Sequence, residues 1–457
     1  MLSLCPPCLS GEKLFWRVML SRLSGLKGHI SRSWSISWPI TVMMFFEFLI
    51  GLTDVYVAGR IGKEIQASYG FVIQVYFVLI VIANALTVGT VSVVSRLFTS
   101  GDREALSDAI FSALVVAAIG GAILSVAGII FTPAIINRVN IPAELKPLIP
   151  PFVTIYALGL FFHYMLINCN GILRSCDRVK TSLGTMTLVC LMNVGLNLLL
   201  VFNTSVGFRG IAVATASSVF IGSLLNLRQV WQLMTPGKRF AWVTVKKVIN
   251  VGWPIGLLQT LWQLGSIVLF LILSALPENR VEILAALTTG LRIESAIFLP
   301  AVAFNLANAV IIGNLLGQKK QEETFRSGMV TAAIGVVIVA TLAVVVVLNA
   351  RWIVSFLSNN EIVIKESVKY LYINMISEPV MAWGIILAGA LNGAGDTRGV
   401  LRNVALSLWL VRIPLCYLFV VVLGFGPVSV WWCMNLSQFV MASLMTKRYL
   451  GRRWLST

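Results

Sequence analysis

Twelve apolar runs, each about long enough to cross a bilayer, leave this 457-residue chain few folds to choose from. A spanning helix needs roughly 20 mostly apolar residues. Such runs fall at 34–59, 67–95, 109–135, 148–172, 181–202, 210–233, 248–273, 284–316, 327–350, 367–391, 401–423 and 427–446. Lipid offers no partner to an open backbone, so each run is expected to be a helix. Composition agrees: 58% of residues are hydrophobic and only 12% charged, against about 25% charged in soluble domains. The expected class is an all-α integral membrane protein of 12 transmembrane helices. A soluble enzyme, a disordered chain and a secreted disulfide scaffold are excluded.

The charge is lopsided, with 35 Lys and Arg against 18 Asp and Glu. If both termini lie on one side, that side carries 24 Lys and Arg and the other 9, with Arg292 and Arg412 inside spans. Cytoplasmic loops collect Lys and Arg, so both termini are expected in the cytoplasm and the chain in a prokaryotic plasma (inner) membrane. The excess is then a topology signal and calls for no nucleic-acid partner. Residues 1–33 lack a continuous apolar core and carry five cations, which reads as a cytoplasmic tail and not a cleavable signal. Cys5 and Cys8 form a C-P-P-C in that tail. No second ligand pair accompanies them, so no metal is expected.

The chain repeats itself. W-P-I at Trp38, Pro39 and Ile40 returns at Trp253, Pro254 and Ile255, an offset of 215, and I-L-R-S-C-D (172–177) aligns with L-N-G-A-G-D (391–396) at 219. Gly207 and Gly426 follow at 219. Six spans per copy is an even number, so both copies enter the membrane from the same side. Two lobes related by a pseudo-two-fold along the membrane normal follow, with a central site between them. The expected division is an N-lobe at 34–233, a cytoplasmic linker at 234–247, a C-lobe at 248–446 and a C-terminal tail at 447–457.

Four acids lie inside spans: Glu47, Asp54, Glu294 and Glu378. Burying a charge in a bilayer costs at least about 2.5–3.5 kcal/mol, so each is a functional candidate. Glu47 and Asp54 are seven residues apart, on one helix face and about 10 Å apart along its axis. Pro39, near the start of that span, either begins the helix or bends it. Asn193 and Asn197 are i,i+4 neighbours, and Thr215 joins them from the next span. A carboxylate facing such amides in a dry site is suited to exchanging protons. Amides that simply tie helices together are the alternative.

In the second half, Arg292 and Glu294 are two apart and must point to different sides, with Glu378 or Gln263 as partners. A buried ion pair locking the lobe is one reading; a polar lining of the cavity, with Gln259 and Gln263, is the other. Glu378 precedes Pro379 and either caps a broken helix or faces the interior. Arg412 is expected to snorkel toward an interface, and His163 to be packed and satisfied. Trp253, Trp262, Trp383 and Trp409 are interfacial anchors or line a cavity for aromatic cations.

Several stretches carry a family likeness. G-L-T-D-V-Y-V-A-G-R-I-G (51–62), N-V-G-L-N-L-L-L-V-F (193–202), G-I-A-V-A-T (210–215), L-R-I-E-S (291–295), L-N-G-A-G-D-T-R (391–398) and W-L-V-R-I-P-L (409–415) resemble, in order, segments of the multidrug and toxic compound extrusion (MATE) family. The resemblance runs from about residue 34 to 446. It implies an antiporter of two six-helix lobes that exports amphipathic, often cationic compounds against H⁺ or Na⁺, as a monomer in lipid and without a cofactor. It makes Asp54 the coupling carboxylate, with Asn193 and Thr215 as polar partners. Many relatives have an acid where this chain has Asn197, and some a Glu where it has Trp262; both departures favour H⁺ over Na⁺. Glu47 enters the ion-coupling set by its spacing alone. A lipid-linked saccharide flippase of related fold would want a more cationic cavity, and a non-transporting scaffold gives no reason for carboxylates deep in the first span.

Overall fold

A computed structural model describes residues 9–138, 144–276, 280–358 and 360–456; Cys5 and Cys8 lie outside them. Helices account for nearly all of the described chain, which contains no strand. They are α1 (Leu9–Ile61), α2 (Lys63–Ser100), α3 (Arg103–Arg138), α4 (Ile149–Ser175), α5 (Val179–Phe202), α6 (Arg209–Trp231), α7 (Trp242–Ser274), α8 (Arg280–Gly317), α9 (Gln321–Leu348), the short α10 (Ala350–Leu357), α11 (Glu361–Asn374), α12 (Glu378–Gly393), α13 (Thr397–Val422) and α14 (Pro427–Leu450). Eleven are long and apolar enough to cross a membrane, and the pair α11–α12, bent by 56°, makes a broken twelfth span. The bent pair covers the run expected at 367–391. Helix α13 carries π-helical turns at Leu406–Arg412 and Leu418–Val422, a geometry that single turns adopt inside longer helices.

Two element boundaries differ from the sequence reading. The N-terminal tail is not separate from the first span, because α1 runs unbroken from Leu9 to Ile61 with Pro39 inside it. Helix α7 begins at Trp242, so the linker shrinks to 232–241. Polar and cationic helix formers extend both helices past the apolar run, which a hydropathy walk cannot register. The linker is pinned to α3: Thr235 N–H donates to Ser107 Oγ (3.0 Å), Arg239 N–H to Asp108 Oδ1 (2.6 Å) and Ala241 N–H to Ser112 Oγ (2.9 Å).

The repeat is visible in the backbone. Gly101 (φ 87°) and Lys319 (φ 59°) take the left-handed conformation at the same turn of each copy, as do Asp177 (58°) and Gly395 (85°), and Gly207 (57°) and Gly424 (67°). These pairs place the offset one or two residues below the 219 read from the motifs. Each lobe keeps its own core. One cluster runs from Leu269 to Trp454 without crossing into the first half, and another, with Val57, Tyr69, Tyr156 and Ile211, stays within it.

The lobes meet at the end where α1 starts; we call it the tail end. There Ile36, Ile40 and Met43 of α1 pack with Ala303, Ala307 and Ile311 of α8. Ser33 Oγ bonds Thr331 Oγ1 at 2.6 Å and His29 Nδ1 bonds Ser327 Oγ at 2.8 Å, joining α1 to α9. Ser92 donates to Gly393 O (3.1 Å), Thr99 to Asn314 O (2.6 Å), and the Arg96 guanidinium to the Ala394 carbonyl. Helices α2 and α7 touch backbone to backbone, because a Cβ at Gly89 would overlap the Val248 carbonyl. Small residues allow such approach where lipid supplies no hydrophobic drive. The cross-lobe hydrogen bonds and close approaches named above all fall in this half of the bundle.

Gly89→Val should wedge α2 from α7 and weaken the tail-end seal by about 1–3 kcal/mol. A lower thermal unfolding midpoint in detergent checks this; an unchanged midpoint would show that the close approach is dispensable.

Candidate functional site

Asp54 is 2% exposed on α1, seven residues from the end of that helix. Its Oδ1 accepts from Asn197 Nδ2 at 2.6 Å, and its Oδ2 accepts from Thr215 Oγ1 at 3.1 Å and Tyr69 OH at 3.3 Å. Asn197 Nδ2 also donates to Asn193 Oδ1 (3.2 Å), and Asn193 Nδ2 donates to Thr215 Oγ1 (3.0 Å). Four helices, α1, α2, α5 and α6, therefore meet on one carboxylate. Asn193 and Asn197 share a face of α5 because they are one turn apart, as their spacing required.

No cation takes part: none of the ion pairs among the described residues involves Asp54. An ionised carboxylate accepts only, so a shell of donors suits the charged form. The two oxygens are not equivalent. Oδ1 faces an amide N–H, which can only donate. Oδ2 faces two hydroxyls, which can rotate and accept. A proton therefore fits on Oδ2 and not on Oδ1, and its arrival reverses the bonds to Thr215 or Tyr69. Asn197 Oδ1 is buried without a partner, one loose end in an otherwise closed network.

Glu47 lies on the inward stripe of α1 between buried Met43 and Asp54, yet its side chain is exposed. On that stripe the open space is the interior, not lipid. The charge it faces is Arg174 of α4, 8% exposed, whose Nε has no partner. No hydrogen bond joins Glu47 to the Asp54 network among the described residues. The structure thus separates two acids that their spacing had grouped.

The second lobe holds a different kind of cluster. Glu294 of α8 (9% exposed), Tyr370 of α11 and Glu378 of α12 (both 0%) face Arg412 of α13 (8%). Arg412 Nε donates to Ser437 Oγ at 2.7 Å. Arg412 does not snorkel: it stays buried inside the lobe, bonded to Ser437 and within electrostatic reach of both acids, although it makes no ion pair with either. The cation opposite Glu294 is Arg412, whereas Arg292 is exposed, as is Gln263; Gln259 is half-buried with Oε1 unpartnered. Glu378 opens the helix after the break but makes no capping hydrogen bond, and neither of its oxygens has a partner. Tyr370 OH and Glu294 Oε1 are likewise unpartnered. Trp262 lies under Arg412 (5.6 Å) and Trp253 under Arg398 (5.9 Å), while Trp383 donates to Thr446 at 2.8 Å. His163 is bonded to Tyr76 at 2.8 Å.

Sequence reading missed Tyr69, Tyr156 and Tyr370 because a tyrosine inside an apolar run scores as one more aromatic. It missed Arg174 because the residue ends its helix and counts as a loop charge. Among the described residues no cluster of His, Cys, Asp and Glu is arranged to hold a metal, and the five described cysteines are free and buried.

Two six-helix lobes of membrane-spanning length, with a cation-free carboxylate buried inside one of them, are the architecture of a membrane transporter. The chain belongs to the MatE family, whose profile matches residues 39–199 and 254–418. It is similar to the uncharacterized transporter YisQ of Bacillus subtilis, at 21% identity over 92% of this chain and 94% of that one. A probable multidrug resistance protein NorM of Thermotoga maritima is 21% identical over 89% of each. Among solved structures, a MOP superfamily transporter from Pyrococcus furiosus superposes with a TM-score of 0.87 at 19% identity, covering 94% of this chain and 97% of that one. A multidrug resistance MATE family transporter in an outward-facing conformation gives 0.86 at 19% identity over the same shares. The chain is a multi-pass membrane transporter and not an enzyme.

Arg412→Leu strands two buried acids without a cation and should destabilise the protein by about 3–5 kcal/mol. Adding Glu294→Gln to that variant should recover part of the loss. Equal melting midpoints for wild type and Arg412→Leu would show that the guanidinium is not holding the second lobe.

Proposed function

We propose that this transporter exports amphipathic, cationic small molecules in exchange for protons, with Asp54 as the group that carries the exchange. The observation behind this reading is the shell around Asp54: hydrogen-bond donors on every side and no counter-cation. A hard cation such as Na⁺ wants several oxygen acceptors around it. Donors pointing at one carboxylate suit a group that alternates between charge and proton. The names of the NorM relatives support the drug-export part, being those of multidrug resistance proteins.

Alternating access follows from where α1 reaches. One helix holds Asp54 near one end and bonds α9 through His29 and Ser33 near the other. Pro39 lies between them, at a residue where the helical ladder lacks one donor and can bend. In the state open at the far end, Asp54 takes a proton on Oδ2. The bond to Thr215 or the bond to Tyr69 reverses, α1 repacks and bound drug leaves. In the opposite state the proton departs and drug rebinds. Proton and drug must favour different states, because a ligand bound equally by both shifts nothing. The lobes move as α1–α6 and α7–α14, with Gln259, Gln263, Arg292 and Glu47 facing the drug path. The bias of Lys and Arg supports placing both termini and the tail end on the cytoplasmic side, and the bacterial relatives support a prokaryotic inner membrane; a monomer is the working unit of this reading.

Asp54→Asn keeps the shape of the site and removes its titratable group. In liposomes it should bind drug but show no drug-driven proton movement under an imposed pH gradient, and a Na⁺ gradient should not drive export by the wild type. Wild-type-like antiport by Asp54→Asn would defeat the proposal.

A further inference from the structure

Asp54 is one end of a line of polar groups that runs through the first lobe. Tyr69 of α2 donates to Asp54 Oδ2. Beside it on α4 is Tyr156, 2% exposed, within electrostatic reach of Tyr69, Asp54 and Tyr76. Its hydroxyl, buried, makes no hydrogen bond within 3.5 Å. The Tyr156 and Tyr76 rings lie 5.0 Å apart between centroids. Tyr76 OH then meets His163 Nδ1 at 2.8 Å. Tyr156 and His163 are seven residues apart on α4, so the line descends about 10 Å toward the tail end.

A tie between α2 and α4 needs only the Tyr76–His163 bond. It makes no use of the Tyr156 hydroxyl, which lies beside Tyr69 and Thr215 of the Asp54 network without closing a hydrogen bond within 3.5 Å. A buried hydroxyl between two proton-bearing neighbours is explained if protons pass it. The relay requires one bridging water or a side-chain rotation to join Tyr156 to its neighbours.

We propose that Tyr69, Tyr156, Tyr76 and His163 form a proton relay between Asp54 and the tail-end half of the first lobe, with His163 as the terminal acceptor. The proposal rests on the proton-coupled reading of Asp54. In the release direction the O–H bond of protonated Asp54 breaks as its proton passes to the Tyr69 oxygen. Tyr69 gives its own hydroxyl proton to Tyr156, Tyr156 to Tyr76, and Tyr76 to Nδ1 of a neutral imidazole. The step ends with an Asp54 carboxylate, three neutral tyrosines and an imidazolium, and nothing is oxidised or reduced. Tyr76 faces His163 from α2, and Tyr156 and Tyr164 share α4 with it. Tyr164 is committed to the Leu79 carbonyl at 2.5 Å. The charged groups on the inner side of this lobe, Asp54 and Glu47 of α1 and Arg174 of α4, make no hydrogen bond to the imidazole.

The test uses the full chain in liposomes with an internal pH dye and tetraphenylphosphonium as the exported cation. Wild type must first show proton-coupled flux; if it does not, the reading of Asp54 fails and the relay with it. Given that flux, His163→Ala and Tyr156→Phe should each slow it about tenfold or more, with tetraphenylphosphonium affinity unchanged in both and the melting midpoint unchanged in Tyr156→Phe. Added imidazole should restore flux to His163→Ala and not to Asp54→Asn. Wild-type flux in either relay variant overturns the relay while leaving Asp54 in place. So does a loss in His163→Ala that imidazole fails to restore.

Discussion

The rest of this protein is arranged around a carboxylate buried without a cation. Asp54 is held by an amide and two hydroxyls, and that choice of partners matters more than the burial itself. A guanidinium would have fixed the charge and made every protonation expensive. Rotatable hydroxyls on one oxygen let the same site accept either state, at the expense only of turning a bond. The second lobe solves the opposite problem. Glu294 and Glu378 face Arg412, and Arg412 is tied to Ser437. Two halves that share a fold and a repeat thus treat buried charge in different ways, one built to change and one built to hold.

Helix α1 connects that chemistry to the contact between the lobes. Its far half carries Asp54 and Glu47; its tail half packs Ile36 and Ile40 against α8 and bonds α9. A reversal of hydrogen bonds at Asp54 can therefore be felt at the seal without any signal crossing loose structure. The tail-end contacts are suited to breaking. They are a handful of side-chain hydrogen bonds and glycine-enabled backbone approaches, with apolar packing limited to small and medium side chains.

Much of this was legible in the sequence, for reasons that differ by residue. The apolar runs dictated helices because lipid allows nothing else, and the W-P-I repeat exposed the two lobes. Asp54, Glu294 and Glu378 stood out because charge is rare where it is expensive. Asn193 and Asn197 were paired correctly because one helical turn leaves no freedom. What could not be read was every fact that depends on which helices face each other. The cation within electrostatic reach of Glu294 is Arg412, 118 positions further along the chain, and no periodicity links them. Glu47 and Asp54 share a face yet separate environments, because the partners differ from one turn to the next. The tyrosines that complete the first-lobe network are invisible to hydropathy, since their rings satisfy it and only their hydroxyls do the chemistry.

The central claim is that drug and proton compete through Asp54. Infrared difference spectroscopy of the purified protein tests it most directly, by following the carbonyl stretch of protonated carboxyl groups as a lipophilic cation is added. The account predicts loss of one protonated-carboxyl band on cation binding in the wild type and no such change in Asp54→Asn. The same band change persisting in Asp54→Asn would place the exchange on another carboxylate, Glu294 or Glu378 first among them, and contradict the account.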